Sequence, residues 1–112
     1  METESLSSVH GVHDRLSEIT LVDCREDREW HAGRIDGAVH LPLNEIMAGG
    51  GSDLDPETPI AVICRSGNRS ELAAMMLNAR GFTAINVEGG MEAWEAEGFE
   101  FEAEGGGPGT VV

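Results

Sequence analysis

Four short apolar runs constrain this chain more than any other feature: "EITLVD" at 18–23, "GAVHLP" at 37–42, "IAVI" at 60–63 and "TAINV" at 83–87. Each has the length of a strand. Helix-forming segments separate them. "REDREWHAG" ends on Gly33, "RSELAAMMLNAR" over 69–80 is closed by Gly81, and "EGGMEAWEAEG" is a turn and helix closed by Gly98. Ahead of the first run, Val9, Val12 and Leu16 fall at helical intervals, although Gly11 weakens that helix. Within 69–80, Leu72, Met76 and Ala79 share one face, which is expected to be the buried one. Strands alternating with helices, several of them continuously apolar, predict an α/β domain. Its central sheet is mostly parallel and carries helices on both faces, giving three layers.

The chain has 112 residues, enough for one core, and 40% of them are apolar. Residues 1–104 are expected to form the domain. Residues 48–59, "AGGGSDLDPETP", form a loop by composition, and residues 105–112, "GGGPGTVV", are expected to be a flexible tail without a role in the fold. Trp30 and Trp94 are assigned to packing on the sheet, and Met75, Met76 and Met91 to core filling.

Charge excludes whole classes of partner. The net charge is -14, with seven arginines and no lysine, so no nucleic acid and no anionic membrane surface is expected as a partner. Such acidity strains a compact state unless salt screens it. A Debye length of about 3 Å at 1 M salt would do so. A salt-rich cytoplasm and a plainly acidic mesophilic protein both fit. The amino terminus lacks an apolar segment and no run approaches membrane-spanning length, so a soluble, reducing, cytoplasmic setting is expected. Cys24 and Cys64 fit neither a disulfide framework nor a zinc site. No metal and no cofactor is expected; His10 and His13 have HxxH spacing but lack a third ligand.

Chemistry concentrates in "VICRSGNRSE", 62–71, where a strand ends on Cys64 at the edge of the sheet at which open α/β folds bind ligands. A thiol attacks as its thiolate, and that form needs nearby positive charge or backbone N–H groups. Gly67 permits a tight loop whose amides turn inward. The helix beginning near Arg69 adds the field of its N-terminus. Arg65 and Arg69 bring charge, while Ser66 and Ser70 bring hydroxyl donors. A buried, inert Cys64 with solvated arginines is the blander alternative.

The same residues carry a resemblance. "LVDCRE" at 21–26, "WHAGRIDGAVHLP" at 30–42, "VICRSGNRS" and "VEGGMEAWEAEGFE" at 87–100 resemble, in order, four signatures of the rhodanese sulfurtransferase family. The resemblance implies a rhodanese-like domain that moves sulfane sulfur from a donor such as thiosulfate. Cys64 would be the persulfide carrier, and the loop of Arg65, Ser66, Gly67, Asn68 and Arg69 would surround the sulfur. Asp23, Arg25 and Ser70 are read as scaffold. The implied partners are a small sulfur-donor anion and a cyanide, thiol or protein-thiol acceptor, served by a monomer or weak homodimer.

Arg34 stands where the family often has His, Asp36 where it often has Pro, and Cys24 where valine is more usual. Cys24 is either a core residue or a second thiol able to resolve the persulfide. Two other functions compete. A cysteine phosphatase or arsenate reductase would resemble Cys-x5-Arg, whereas only four residues separate Cys64 from Arg69. A non-catalytic or sulfur-carrier interaction module would keep the fold.

Overall fold

The computed structural model describes residues 5–112. Four parallel strands make one sheet: β1 (Thr20–Asp23), β2 (Val39–His40), β3 (Ile60–Ile63) and β4 (Ala84–Asn86), in the order β2-β1-β3-β4. β1 pairs with β3 from Thr20↔Ile60 to Asp23↔Ile63, and β3 with β4 from Ile60↔Ala84. After β1 the chain moves to one edge of the sheet. After β3 it moves to the other. The carboxyl ends of β1 and β3 therefore flank the switch point at which an open parallel sheet leaves a crevice.

Among the described residues five α-helices cover the sheet: α1 (Val9–Asp14), α2 (Asp27–Ala32), α3 (Leu43–Met47), α4 (Asn68–Ala79) and α5 (Gly90–Ala96). Because strand side chains alternate, β1 and β3 feed two cores. Leu21, Ala61 and Ile63 join Val9, Val12, Met91 and Trp94 on one face. Val22, Ile60 and Val62 join Ile46, Ala73, Ala74 and Leu77 on the other. All four residues of β3 are buried, as a strand covered on both sides requires. Trp94 lies in the first core, while Trp30 stacks on His40 at 4.5 Å instead of entering either.

Three expectations need correction. α3 occupies a stretch in which the sequence pattern predicts no element; only Ile46 of it is buried. The buried residues of α4 are Ser70, Ala73, Ala74 and Leu77, not the face of Leu72, Met76 and Ala79. Gly67 fixes where that helix starts, and this phase turns Ser70 inward. Small alanines then let the helix approach the sheet, leaving Leu72 exposed and Met75 64% exposed, so Met75 is not core filler.

Residues 105–112 are not a free tail. Glu102 bridges both Arg34 and Pro108, Thr110 N donates to Ala32 O at 2.9 Å, and Val111 packs on the first core. Of the glycines that suggested flexibility, Gly109 serves close packing, while a Cβ on Gly105, Gly106 or Gly107 would meet nothing. A Cβ on Gly109 would sit 2.7 Å from Phe101 Cε2.

Candidate functional site

The two cysteines come directly after paired strands. Cys24 N donates to Ile63 O at 3.0 Å, continuing the β1–β3 ladder by one step. Both side chains enter the core beneath α3 and α4, and both residues are 1% exposed. The bland assignment of Cys64 to the interior is thus correct about burial. It is incomplete about surroundings.

Gly67 takes φ +111 and caps α4, a conformation that L side chains rarely adopt. The turn aims two amides at the sulfur: Gly67 N lies 3.1 Å from Cys64 Sγ and Ser70 N 3.4 Å. Ser70 Oγ lies 3.2 Å from the same atom. The carbonyls of this turn are occupied elsewhere. Cys64 O accepts from Met91 N at 2.8 Å and Arg65 O from Glu92 N at 3.0 Å, so the start of α5 holds the loop with its N–H groups free for sulfur. Gly90 makes this contact feasible, since a Cβ there would fall 2.7 Å from Arg65 O. Ser70 Oγ also bonds Asn86 Oδ1. A hydroxyl has one hydrogen, so it serves either the amide or the sulfur. Beside an ionised Cys64 the Asn86 amide would turn its NH₂ toward Ser70.

The two thiols are driven apart electrostatically. A hydrogen bond from Cys24 contributes most to bringing the Cys64 thiol down to about 4; burial opposes this, and Ser70 and Gly67 reinforce it. Cys24 moves the other way, held protonated by its bond to Cys64, by burial and by the charges of Cys64 and Asp23. The two shifts run in opposite directions, favouring the thiolate at Cys64 and the thiol at Cys24.

The two loop arginines part company. Arg69 meets Glu29 through Nη1–Oε1 at 2.6 Å and Nη2–Oε2 at 2.8 Å. Burial alone would raise the Glu29 carboxyl, but Arg69 and the Glu26 amide bring it down to about 2. The bond to Glu29 in turn raises Arg69. Arg65 points outward to Glu92 at 3.1 Å, so its guanidinium is not part of a ring around the sulfur. Ser66 and Asn68 are exposed, and the expected ring of amides narrows to those of Gly67 and Ser70.

Asp23 and Arg25 lie fully inside. Arg25 Nε donates to Asp23 Oδ1 at 2.9 Å, Arg25 Nη2 to Asp23 Oδ2 at 2.7 Å and to Gly33 O at 2.6 Å. This pair ties the end of β1 to the end of α2. A cleft of about 690 Å³ opens beside Cys24 and Arg69, its rim carrying Glu26, Asp27, Glu45 and Met47. Cys24, not Cys64, forms its wall.

Glu29 and Asn86 were missed in the sequence. Glu29 had a local signal, because Glu26 and Glu29 form a reciprocal capping box at the start of α2. That pattern marks a helix start and says nothing of Arg69, forty residues away. Asn86 had no signal beyond its place in "TAINV". His40 also joins the surroundings, with Nε2 2.8 Å from Arg25 O. His10 contacts Glu97, and His13 stacks on Phe99.

Known proteins are similar to this chain in sequence and in fold. "Putative sulfurtransferase YtwF" of Bacillus subtilis (strain 168) is 44% identical over 80 residues, covering 71% of this chain and 77% of its own. "Putative sulfur carrier protein YrkF" of the same organism is 38% identical over 91 residues, 80% of this chain but 49% of its own length. Among solved structures, a rhodanese-related protein from Thermoplasma volcanium superposes with a TM-score of 0.79 at 30% identity, covering 84% of this chain and 93% of that one. A rhodanese-like domain protein from Staphylococcus aureus gives 0.71 at 31% identity, covering 78% and 87%. Residues 8–97 match the Rhodanese-like domain as a family, and with a fold and a cysteine loop of this form the chain belongs to it.

Proposed function

We propose that the protein is a sulfurtransferase working through a persulfide on Cys64. The carrying observation is the pair of amides, from Gly67 and Ser70, directed at Cys64 Sγ where α4 begins. The Cys64 thiolate attacks the outer sulfur of thiosulfate, the S–S bond of the donor breaks, and sulfite departs with its electron pair. The anionic persulfide then occupies the same cradle, stabilised by the amides and the helix start. Cyanide, a small thiol or a protein thiol next attacks the outer sulfur and regenerates the Cys64 thiolate, a ping-pong cycle. Arg69, fixed by Glu29, holds its guanidinium at the cleft. Asp23 and Arg25 act by holding the end of β1, and Ser70 by donating to sulfur. Ser66, Asn68 and Arg65 stand at the outer side of the loop, where an incoming donor would pass them.

A cradle this small suits one sulfur atom better than a tetrahedral phosphoryl group, which weighs against the phosphatase alternative. The experiment is thiocyanate formation from thiosulfate and cyanide by the wild type and by Cys64→Ser. We expect activity to fall to background in the variant, because the hydroxyl of serine is not ionised near neutrality. Equal turnover by the two proteins would overturn the proposal.

A further inference from the structure

We propose that Cys24 is a resolving thiol: when no acceptor arrives, it attacks Sγ of the Cys64 persulfide, expels hydrosulfide and closes a Cys24–Cys64 disulfide. The step rests on the persulfide chemistry proposed for Cys64. In it the Cys24 sulfur is oxidised and the outer sulfur reduced. A Cys24–Cys64 S–S bond forms, the persulfide S–S bond breaks, and the Cys24 proton leaves with the outer sulfur as HS⁻. No external oxidant is needed, because the persulfide itself carries the oxidising equivalent.

Position supports this beyond the identity of the residue. Cys24 and Cys64 are the next pair after Asp23↔Ile63 on neighbouring parallel strands, and Cys24 N keeps that register by bonding Ile63 O. Adjacent strands stand about 4.8 Å apart, inside the Cα separation of about 4.4–6.8 Å that a disulfide spans. Both side chains leave the sheet on the same face and enter one core cluster, and each thiol biases the other, Cys64 toward the thiolate and Cys24 toward the thiol.

The cleft explains how the disulfide would reopen. Cys24 lines the cleft and Cys64 does not, so a thiol reductant would approach the disulfide from the Cys24 side. Attack on the Cys24 sulfur expels Cys64, whose thiolate Gly67 and Ser70 stabilise as the leaving group. A second equivalent of the reductant thiol then frees Cys24, leaving the reductant as its own disulfide. Sulfur loading without an acceptor thereby turns the carrier into a closed form that only a thiol restores.

The experiment loads the full chain with inorganic polysulfide under argon, desalts it, and monitors intact mass and released hydrosulfide with time. We expect the wild type to release about one hydrosulfide per chain and to settle two hydrogens lighter than the dithiol protein. Cys24→Ala and Cys24→Ser, two variants in case one fails to fold, should keep the added sulfur. Persulfide lasting as long in the wild type as in the variants would overturn the inference while leaving sulfur transfer standing. Sulfur found on residue 64 in none of the proteins would overturn both.

Discussion

The dipeptide Cys-Arg occurs twice in this chain, at 24–25 and 64–65, one step past the ends of adjacent paired strands. The two copies have opposite fates. After β1 the arginine turns inward and is consumed by Asp23 and Gly33 O, while the thiol beside it is held protonated by Cys64 and by burial. After β3 the arginine turns outward to Glu92, while amides and a hydroxyl converge on the thiol and draw its proton away. Side-chain charge next in sequence does not make the difference. The backbone beyond each arginine does: Ser-Gly-Asn with a left-handed Gly67 in one case, a Glu26-capped helix in the other.

The comparison breaks most heavily at the β1 end. Asp23→Ala leaves Arg25, which is 0% exposed, without its counter-charge. Breaking a buried ion pair from one side costs about 3–5 kcal/mol, and we expect urea unfolding to show a loss of that order. Near-wild-type stability would mean that Gly33 O alone satisfies Arg25.

The join between the two ends comes next. Glu29→Gln replaces the carboxylate that clasps Arg69, and losing hydrogen bonds between charged groups costs about 1.5–3 kcal/mol. The pH dependence is diagnostic. Folding takes the Glu29 carboxyl from 4.5 down to about 2, so between these values the unfolded chain binds the extra proton. The clasp contributes fully above that window and is lost as pH falls through it. The stability gap between wild type and Glu29→Gln should therefore shrink on acidification toward about pH 2. A constant gap would show that packing, not charge, holds Arg69.

The range of each interaction decides how far it could be read in the sequence. The strands, the loop at 64–69 and the N-terminal start of α4 are written in contiguous residues, and the structure has them where they were expected. Ser70 and Gly67 were also legible, because a thiol and its turn lie within six positions. The clasp of Glu29 on Arg69, the bond from Ser70 to Asn86 and the thiol of Cys24 beside Cys64 depend on strand order. No local pattern contains that order. The tail misled for another reason: glycine signals freedom when nothing packs on it and close contact when a ring does. The Phe101 ring lies against both Gly33 and Gly109, a contact that exists only once the last residues have folded back beside α2.

At the β3 end the backbone is the lever. Gly67→Ala forces a side chain into φ +111, with its Cβ 3.3 Å from Gly89 N. Left-handed backbone at a residue with a Cβ costs about 1–2 kcal/mol. If the turn relaxes, the Gly67 amide leaves the sulfur and the thiolate loses a donor, which raises the Cys64 pKa. Alkylation by iodoacetamide should then lose rate at a higher pH than in the wild type. An unmoved acid limb would remove the Gly67 amide from the account.

The smallest expected effect sharpens the comparison most. Arg65 and Glu92 are each about half exposed, at 53% and 52%, and face solvent 3.1 Å apart. Pairs of this kind contribute about 0–1 kcal/mol, so Arg65→Gln should barely shift the unfolding midpoint. Its effect on Cys64 should be equally slight, because the groups that touch Sγ are Gly67 N, Ser70 N and Ser70 Oγ. The pH profile of Cys64 alkylation in Arg65→Gln should therefore overlay that of the wild type, against the clear displacement expected of Gly67→Ala. A displacement in Arg65→Gln as large as in Gly67→Ala would reverse the lesson of the two Cys-Arg pairs. The neighbouring cation, and not the turn, would then be what separates a reactive thiol from a silent one.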